Sequence, residues 1–168
     1  MSTTASLPAP PALAGSADNC TVGRAMGILG ERWTFVVLRE VFNGVRRFED
    51  MHRHSGIPRQ VLTNRLGLLV DEEILRRRPY QVPGARARHE YRLTEKGMDL
   101  YPVLIAIAQW GDRYLADPEG PPVTFVHRDC GAGMRVVAVC DDGHEVERPR
   151  EVVTRPGPGA IRATPASG

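Results

Sequence analysis

The stretch from Pro58 to Val70, with the Asp71 that follows it, carries the side chains of this sequence best suited to molecular recognition. On a helix of 100° per residue, one face of the run carries only small or polar residues: Gln60, Thr63, Asn64, Gly67 and Asp71. Amide side chains bond adenine edges, and a threonine methyl group fits a thymine methyl group, so this face suits a DNA major groove. The alternative is a solvated helix face, but Lys and Glu, which dominate such faces, are absent from the run.

Arginines surround this candidate reading face. Arg59 and Arg65 flank it, where we expect them to reach guanine or phosphate. Arg47 precedes a short predicted helix and is expected to bind a phosphate beside that helix N-terminus. Arg86 and Arg88 lie on a predicted hairpin, where we expect contacts to the DNA backbone or the minor groove.

The charge distribution agrees with a polyanionic partner. Residues 24–92 hold fourteen arginines and eight acidic residues, a net charge of +6, although the whole chain carries only +2. No apolar run approaches membrane-spanning length and no signal peptide is recognisable, which predicts a cytoplasmic protein. We find no glycine loop for phosphates, nucleophile elbow or carboxylate pair, so we expect neither an enzyme nor a cofactor. Three cysteines, an odd number, do not indicate a disulfide framework.

The elements that must position these residues follow from periodicity, caps and turn residues. Four helices are predicted first, then two strands and one long helix kinked at Pro102: Thr21–Leu29, Glu31–Phe42, about Phe48–His54, Pro58 to about Glu72, Ile74–Tyr80, Arg88–Leu93 and about Thr94–Leu115. The hairpin turn is assigned to residues 81–85. The order predicts a mainly α (α+β) winged helix-turn-helix with a long C-terminal dimerisation helix and a small C-terminal β-hairpin module.

The long helix indicates self-association. One of its sides carries more apolar surface than a small winged helix can cover by itself: Leu100, Val103, Leu104, Ile107, Gly111 and Tyr114. We therefore predict a homodimer that binds two half-sites of double-stranded operator DNA.

Several separated motifs resemble the HxlR family of bacterial winged-helix regulators. They are CTVGRAMGILGERW from Cys20, LRE from Leu38, RRF from Arg46, IPRQVLTNRL from Ile57 and EYRLTEKG from Glu90. The resemblance implies a bacterial repressor or activator, dimerised through its first and last helices, with two recognition helices in successive major grooves.

Carried over by position, the resemblance assigns residues to roles. The recognition helix receives Arg59, Gln60, Thr63, Asn64 and Arg65, and Arg47 falls at its phosphate-contacting entry. Cys20 falls where some relatives carry a redox- or electrophile-sensing thiol, although a packed, unreactive thiol at the dimer interface is the favoured reading. A small-molecule or redox effector is the corresponding partner.

The chain continues beyond this resemblance with a small module. Its pattern, His127-x2-Cys130-x9-Cys140-x3-His144, offers the usual complement of a structural zinc site. We favour a metal-free hairpin, with an apolar strand over 134–139, and assign no residue as a metal ligand. The predicted boundaries are a disordered arm at 1–19, the winged helix at 20–117, the module at 118–147 and a disordered tail at 148–168.

Two other functions were weighed against DNA binding. A winged helix used for protein interaction would carry a neutral or apolar recognition face, which the polar residues and wing arginines oppose. A small metalloenzyme built on the C-terminal module would need an open metal position and a base in a cleft, and the sequence suggests neither.

Overall fold

The computed structural model describes residues 19–81 and 87–160. Helices and strands follow one another in this order: α1 Thr21–Leu29, α2 Arg32–Phe42, α3 Phe48–Ser55, α4 Arg59–Asp71, β1 Leu75–Tyr80, β2 Arg88–Leu93, α5 Glu95–Met98, α6 Tyr101–Tyr114, β3 Ala138–Val139 and β4 Glu145–Val146. This order confirms the predicted winged helix-turn-helix. The described residues form two compact units, those within 28–136 in one, and 19–27 with 137–160 in the other. The predicted domain boundaries remain a prediction.

The core of the 28–136 unit is an aliphatic cluster from α2, α3, α4 and the start of β1. Its buried members are Leu29, Val37, Leu38, Val41, Met51, Ile57, Leu62, Leu66, Leu69, Ile74 and Leu75. Leu62, Leu66 and Leu69 recur at helical spacing, so burying them fixes the rotation of α4 about its axis. The polar side of α4 is thereby turned to solvent.

A tight turn between α3 and α4 forms the centre of the helix-turn-helix. Gly56 ends α3 in the left-handed conformation, with φ of 66°, and its N–H donates to His52 O at 3.0 Å. Ser55 Oγ accepts from the N–H of the buried Ile57 at 3.2 Å. Pro58 is the N-cap of α4, one position before the helical residue predicted for it.

Strands β1 and β2 form the wing as an antiparallel hairpin, with Leu75 opposite Leu93 and Tyr80 opposite Arg88. The chain before α3 pairs with β2 as well, because Tyr91 N–H donates to Arg46 O at 2.8 Å. This pairing ties the entry of α3 to the wing. Four of the predicted turn residues, 82–85, and Arg86 lie outside the described residues.

The single kinked helix predicted after the wing is wrong. Thr94 caps the short α5, accepting from Gly97 N–H at 3.1 Å, and a separate α6 begins at Tyr101. Pro102 stands in the first turn of α6, where its missing N–H costs no hydrogen bond. The proline therefore begins a helix instead of bending one. Ile105 is the residue that α6 buries, 2% exposed.

The segment after α6 turns back on itself through one antiparallel β-bridge. The side chain of Gln109, on α6, forms hydrogen bonds to this segment. Val126 pairs with Gly133, and Gln109 bonds Met134 O at 2.8 Å and Val136 N at 3.0 Å. Because these main-chain groups bond Gln109, the apolar strand predicted over 134–139 is reduced to Ala138–Val139, which pairs with β4.

None of the helices in the described ranges is long and apolar enough to cross a membrane.

Candidate nucleic-acid interface

The polar face of α4 is exposed and internally ordered. Gln60 Nε2 donates to Asn64 Oδ1 at 2.9 Å, and Thr63 Oγ1 donates to Arg59 O at 2.9 Å. The amide pair uses neither the Asn64 NH₂ group nor the Gln60 carbonyl, so both can bond other partners, and its order limits the entropy lost on binding. Gly67 continues the same face, and a Cβ atom there would meet nothing within 4 Å.

Arg59 lies beside this face but is already paired. Its two terminal nitrogens donate to both carboxylate oxygens of Glu49 on α3, at 2.9 and 2.5 Å, and its guanidinium lies 5.1 Å from the Phe48 ring centroid. These hydrogen bonds from Arg59 hold the pKa of Glu49 below its usual value. A DNA phosphate or guanine would compete with Glu49 for the guanidinium of Arg59.

Arg65 is not brought together with the polar face. It is partly buried, its Nε lies 3.8 Å from a Glu31 carboxylate oxygen, and that Nε has no hydrogen bond among the described residues. Its position along α4 places it at the edge of the buried leucines. Direct contact from Arg65 to DNA therefore stays a prediction.

Arg47 and Arg88 are both neighbours of Tyr80, at the end of the wing next to its turn. The Arg47 guanidinium lies 4.4 Å from the Tyr80 ring centroid, and Tyr80 pairs with Arg88 across the hairpin. A cation–π contact of this kind holds an exposed arginine in one direction without neutralising its charge. Both arginines are therefore available for phosphate next to the N-terminus of α3.

A basic concavity that sequence reasoning missed adjoins Arg47. Its volume is about 460 Å³, and its lining combines Arg46, Arg47, Arg53 and His54 with two acidic residues, Asp50 and Glu90. Arg53 is paired with Asp50 at 2.5 Å. The clustering depends on the fold, since the concavity combines the chain before α3, the end of α3 and β2.

The sequence suggests an ordinary helix charge at Glu40, on α2, and the structure instead buries this residue. It is buried, with Arg39 Nη2 at 2.6 Å and His54 Nδ1 at 3.6 Å. A signal was available, because Glu40 stands three residues after the buried Val37 and next to the buried Val41. The carboxylate ties α2 to the end of α3.

The cysteines lie outside this interface. All three are exposed, Cys20 included. Cys130 Sγ lies 3.4 Å from His127 Nδ1, and Cys140 Sγ lies 3.5 Å from His144 Nδ1. Among residues 19–81 and 87–160 there is no group of three or more metal-ligating side chains. The unreactive thiol favoured for Cys20 and the metal-free module stay predictions, with sensing and zinc binding as their alternatives.

One side of α6 exposes an apolar stripe. Its members recur at spacings of four, three and four residues: Val103, Ile107, Trp110 and Tyr114, all 40–60% exposed. Leu104 and Ile105, in contrast, are turned inward. The predicted apolar side of this helix is therefore divided between an inner and an outer face.

Comparison with known proteins identifies relatives over most of this chain. A family model described as HxlR-like helix-turn-helix matches residues 28–119. An uncharacterized HTH-type transcriptional regulator of Mycobacterium tuberculosis, Rv3095, is 46% identical over 139 residues, which is 83% of this chain and 87% of the relative. The structure is similar to PA1607, a candidate transcription factor, with a TM-score of 0.71 and 31% identity over 81% of this chain and 94% of the other. It is also similar to PA1374, a candidate transcription factor from Pseudomonas aeruginosa, with a TM-score of 0.59 and 33% identity. That match covers 84% of this chain and 95% of the other.

Proposed function

This chain belongs to the HxlR-like helix-turn-helix family of DNA-binding transcriptional regulators, and we propose that it reads operator DNA with the exposed face of α4. The observation that carries the proposal is the ordered amide pair of Gln60 and Asn64 on the helix after the Gly56 turn. In a major groove, Asn64 would bond the edge of an adenine, and Thr63 would contact a neighbouring base or methyl group.

The arginines supply most of the affinity in this proposal. Arg47 and Arg88 bind phosphates on one side of α4, where they add affinity without sequence preference. Arg59 joins them once DNA displaces Glu49. Arg65 and Arg86 are proposed to contact DNA too, on the weaker ground of their sequence positions. The protein has no enzymatic role in this proposal, and it works in the cytoplasm, where a bacterial chromosome is accessible.

We propose further that two copies bind together through the apolar stripe on α6. The spacing of Val103, Ile107, Trp110 and Tyr114 is that of a helix packing along a parallel or antiparallel partner. A two-fold dimer would place its two α4 helices in major grooves about 34–36 Å apart. The operator should accordingly contain two inverted half-sites.

The test is a mobility-shift series on the DNA upstream of the protein's own gene, repeated at several salt concentrations. Thr63→Ala and Asn64→Ala should each cost about 1–3 kcal/mol of operator binding and relax the preference at one base pair. Arg47→Ala should weaken all sequences alike and flatten the salt slope by about one. Arg128→Ala, which removes an exposed arginine after α6, is the matched control and should change nothing. Unchanged operator affinity in both α4 variants would refute the assignment of the reading face.

A further inference from the structure

A cleft of about 180 Å³ opens between α2, α6 and the segment that follows α6. Its walls are mainly apolar, with three aromatic rings, from Phe42, Tyr101 and Phe125, and aliphatic groups from Leu104, Ala108 and Val123. The Phe42 and Tyr101 rings are in contact, with centroids 4.9 Å apart. An apolar cavity of roughly 150 Å³ accommodates benzene, so this one has room for a single ring with a short substituent.

The cleft is a built feature of the fold. Its outer wall carries Phe125, whose carbonyl accepts from Met134 N–H at 2.9 Å. Met134 O in turn accepts from Gln109 Nε2 of α6 at 2.8 Å. The wall is therefore connected by hydrogen bonds to the same helix that forms the floor, and the opening between them is maintained.

The charged residues at the cleft favour a positively charged ligand. Arg39 lines it, but its guanidinium is neutralised by Glu40 at 2.6 Å. Asp112 also lines it, is partly buried, and makes no side-chain hydrogen bond or ion pair with any described residue. This carboxylate places an unpaired negative charge at the cleft, and a cation bound beside it gains a direct charge–charge attraction. The aromatic walls attract a cation as well.

The cleft lies on a different side of α6 from the apolar stripe. At 100° per residue, Tyr101, Leu104, Ala108 and Asp112 are centred roughly 130° away from the residues of the stripe. A dimer formed through the stripe therefore leaves this side of α6 open to a ligand.

We propose that the cleft binds a small single-ring organic amine, its ring between the aromatic walls and its ammonium group on Asp112. That this amine is an effector of DNA binding rests on the proposed function. Because α2 packs against both α6 and the reading helix α4, a ligand wedged beside α2 acts on the two helices that DNA binding requires.

Binding can be measured on the full chain without DNA, by calorimetry and by ligand-observed NMR, with benzylamine, benzyl alcohol and benzoate as probes. Benzylamine should bind saturably in the millimolar range or tighter, and at least tenfold more tightly than the other two. Asp112→Asn should remove this preference, and Ala108→Phe should fill the cleft and abolish binding. Asp117→Asn, an exposed carboxylate outside the cleft, is the matched control.

Absence of saturable benzylamine binding, equal binding of benzoate, or unchanged binding by a folded Asp112→Asn protein would overturn the site. In mobility-shift experiments, benzylamine should change operator affinity about fivefold or more in the wild type but not in Asp112→Asn. Benzylamine bound at Asp112 with no effect on DNA would overturn the effector role alone. Failure to bind any operator would overturn the proposed function and leave the site supported by the NMR result.

Discussion

Gly67→Ala should move stability and DNA binding in opposite directions. Gly67 lies inside α4 on the reading face, and a Cβ atom there would meet nothing within 4 Å in the free protein. Alanine in a helix interior is favoured over glycine by about 0.5–1 kcal/mol, because it loses less backbone entropy on folding. For a chain of this size, that gain raises the melting temperature by roughly 1–4 °C.

The same methyl group should lower the affinity for operator DNA. If α4 enters a major groove through Gln60, Thr63 and Asn64, Gly67 lies one turn further on the same face and permits a close approach of its backbone to the duplex. An added methyl group in a close-packed contact costs about 1–3 kcal/mol. That is a loss of roughly 5- to 150-fold in operator affinity. Thermal unfolding followed by circular dichroism, and mobility shifts on one operator, give the two quantities separately.

Gly97→Ala is the control for the stability half of this reasoning. The substitution is chemically identical, but a Cβ at Gly97 would lie 2.2 Å from the backbone oxygen of Ile74. That oxygen cannot withdraw freely, because it accepts from Thr94 N at 3.1 Å, so Gly97→Ala should destabilise the protein. A Gly67→Ala protein that is more stable and binds its operator as well as wild type would refute the docking of α4 proposed above.

Three further variants test other parts of the proposal. Glu49→Gln should free Arg59, raise DNA affinity several-fold and steepen the salt slope by about one; weaker binding would mean that Glu49 orients Arg59 for its contact. Ile107→Glu, which puts a charge in the apolar stripe of α6, should shift the protein toward monomer in sedimentation and weaken operator binding with it. A sedimentation profile already monomeric at micromolar concentration in the wild type would contradict the dimer. Elemental analysis of untagged protein should find a zinc stoichiometry near zero; one zinc per chain, lost in Cys130→Ser, would overturn the preference for a metal-free module.

Local signals in the sequence were enough to predict the first half of the fold. The bounds of α1 were predicted to the residue, and those of α2 to α4 to within one residue at almost every end, because caps, glycine stops and helical spacing act over a few positions. The break between α5 and α6 was missed. A proline in a helical pattern is compatible with a kink or with a new first turn, and Thr94 and Pro102 together were read as one element.

The site was predicted less completely than the fold. Residue type and helical spacing identified Gln60, Thr63 and Asn64 as one exposed face. The same reasoning gave Arg59 to DNA, whereas its partner in the structure is Glu49, ten residues earlier on another helix. Ion pairs between elements depend on how helices pack, which local periodicity does not encode. The burial of Glu40 is a different case. Its spacing from the buried Val37 indicated the inner face of α2, and only its charge favoured an exposed position.

The attachment of the segment after α6 through Gln109 separates where that segment lies from which side chains it carries there. Gln109 holds the segment through two main-chain hydrogen bonds, to Met134 O and Val136 N. Because the amide recognises only backbone atoms, it requires no particular side chain at either position. Substitutions other than proline at these two positions should therefore leave the attachment intact, whereas replacing Gln109 removes both bonds at once.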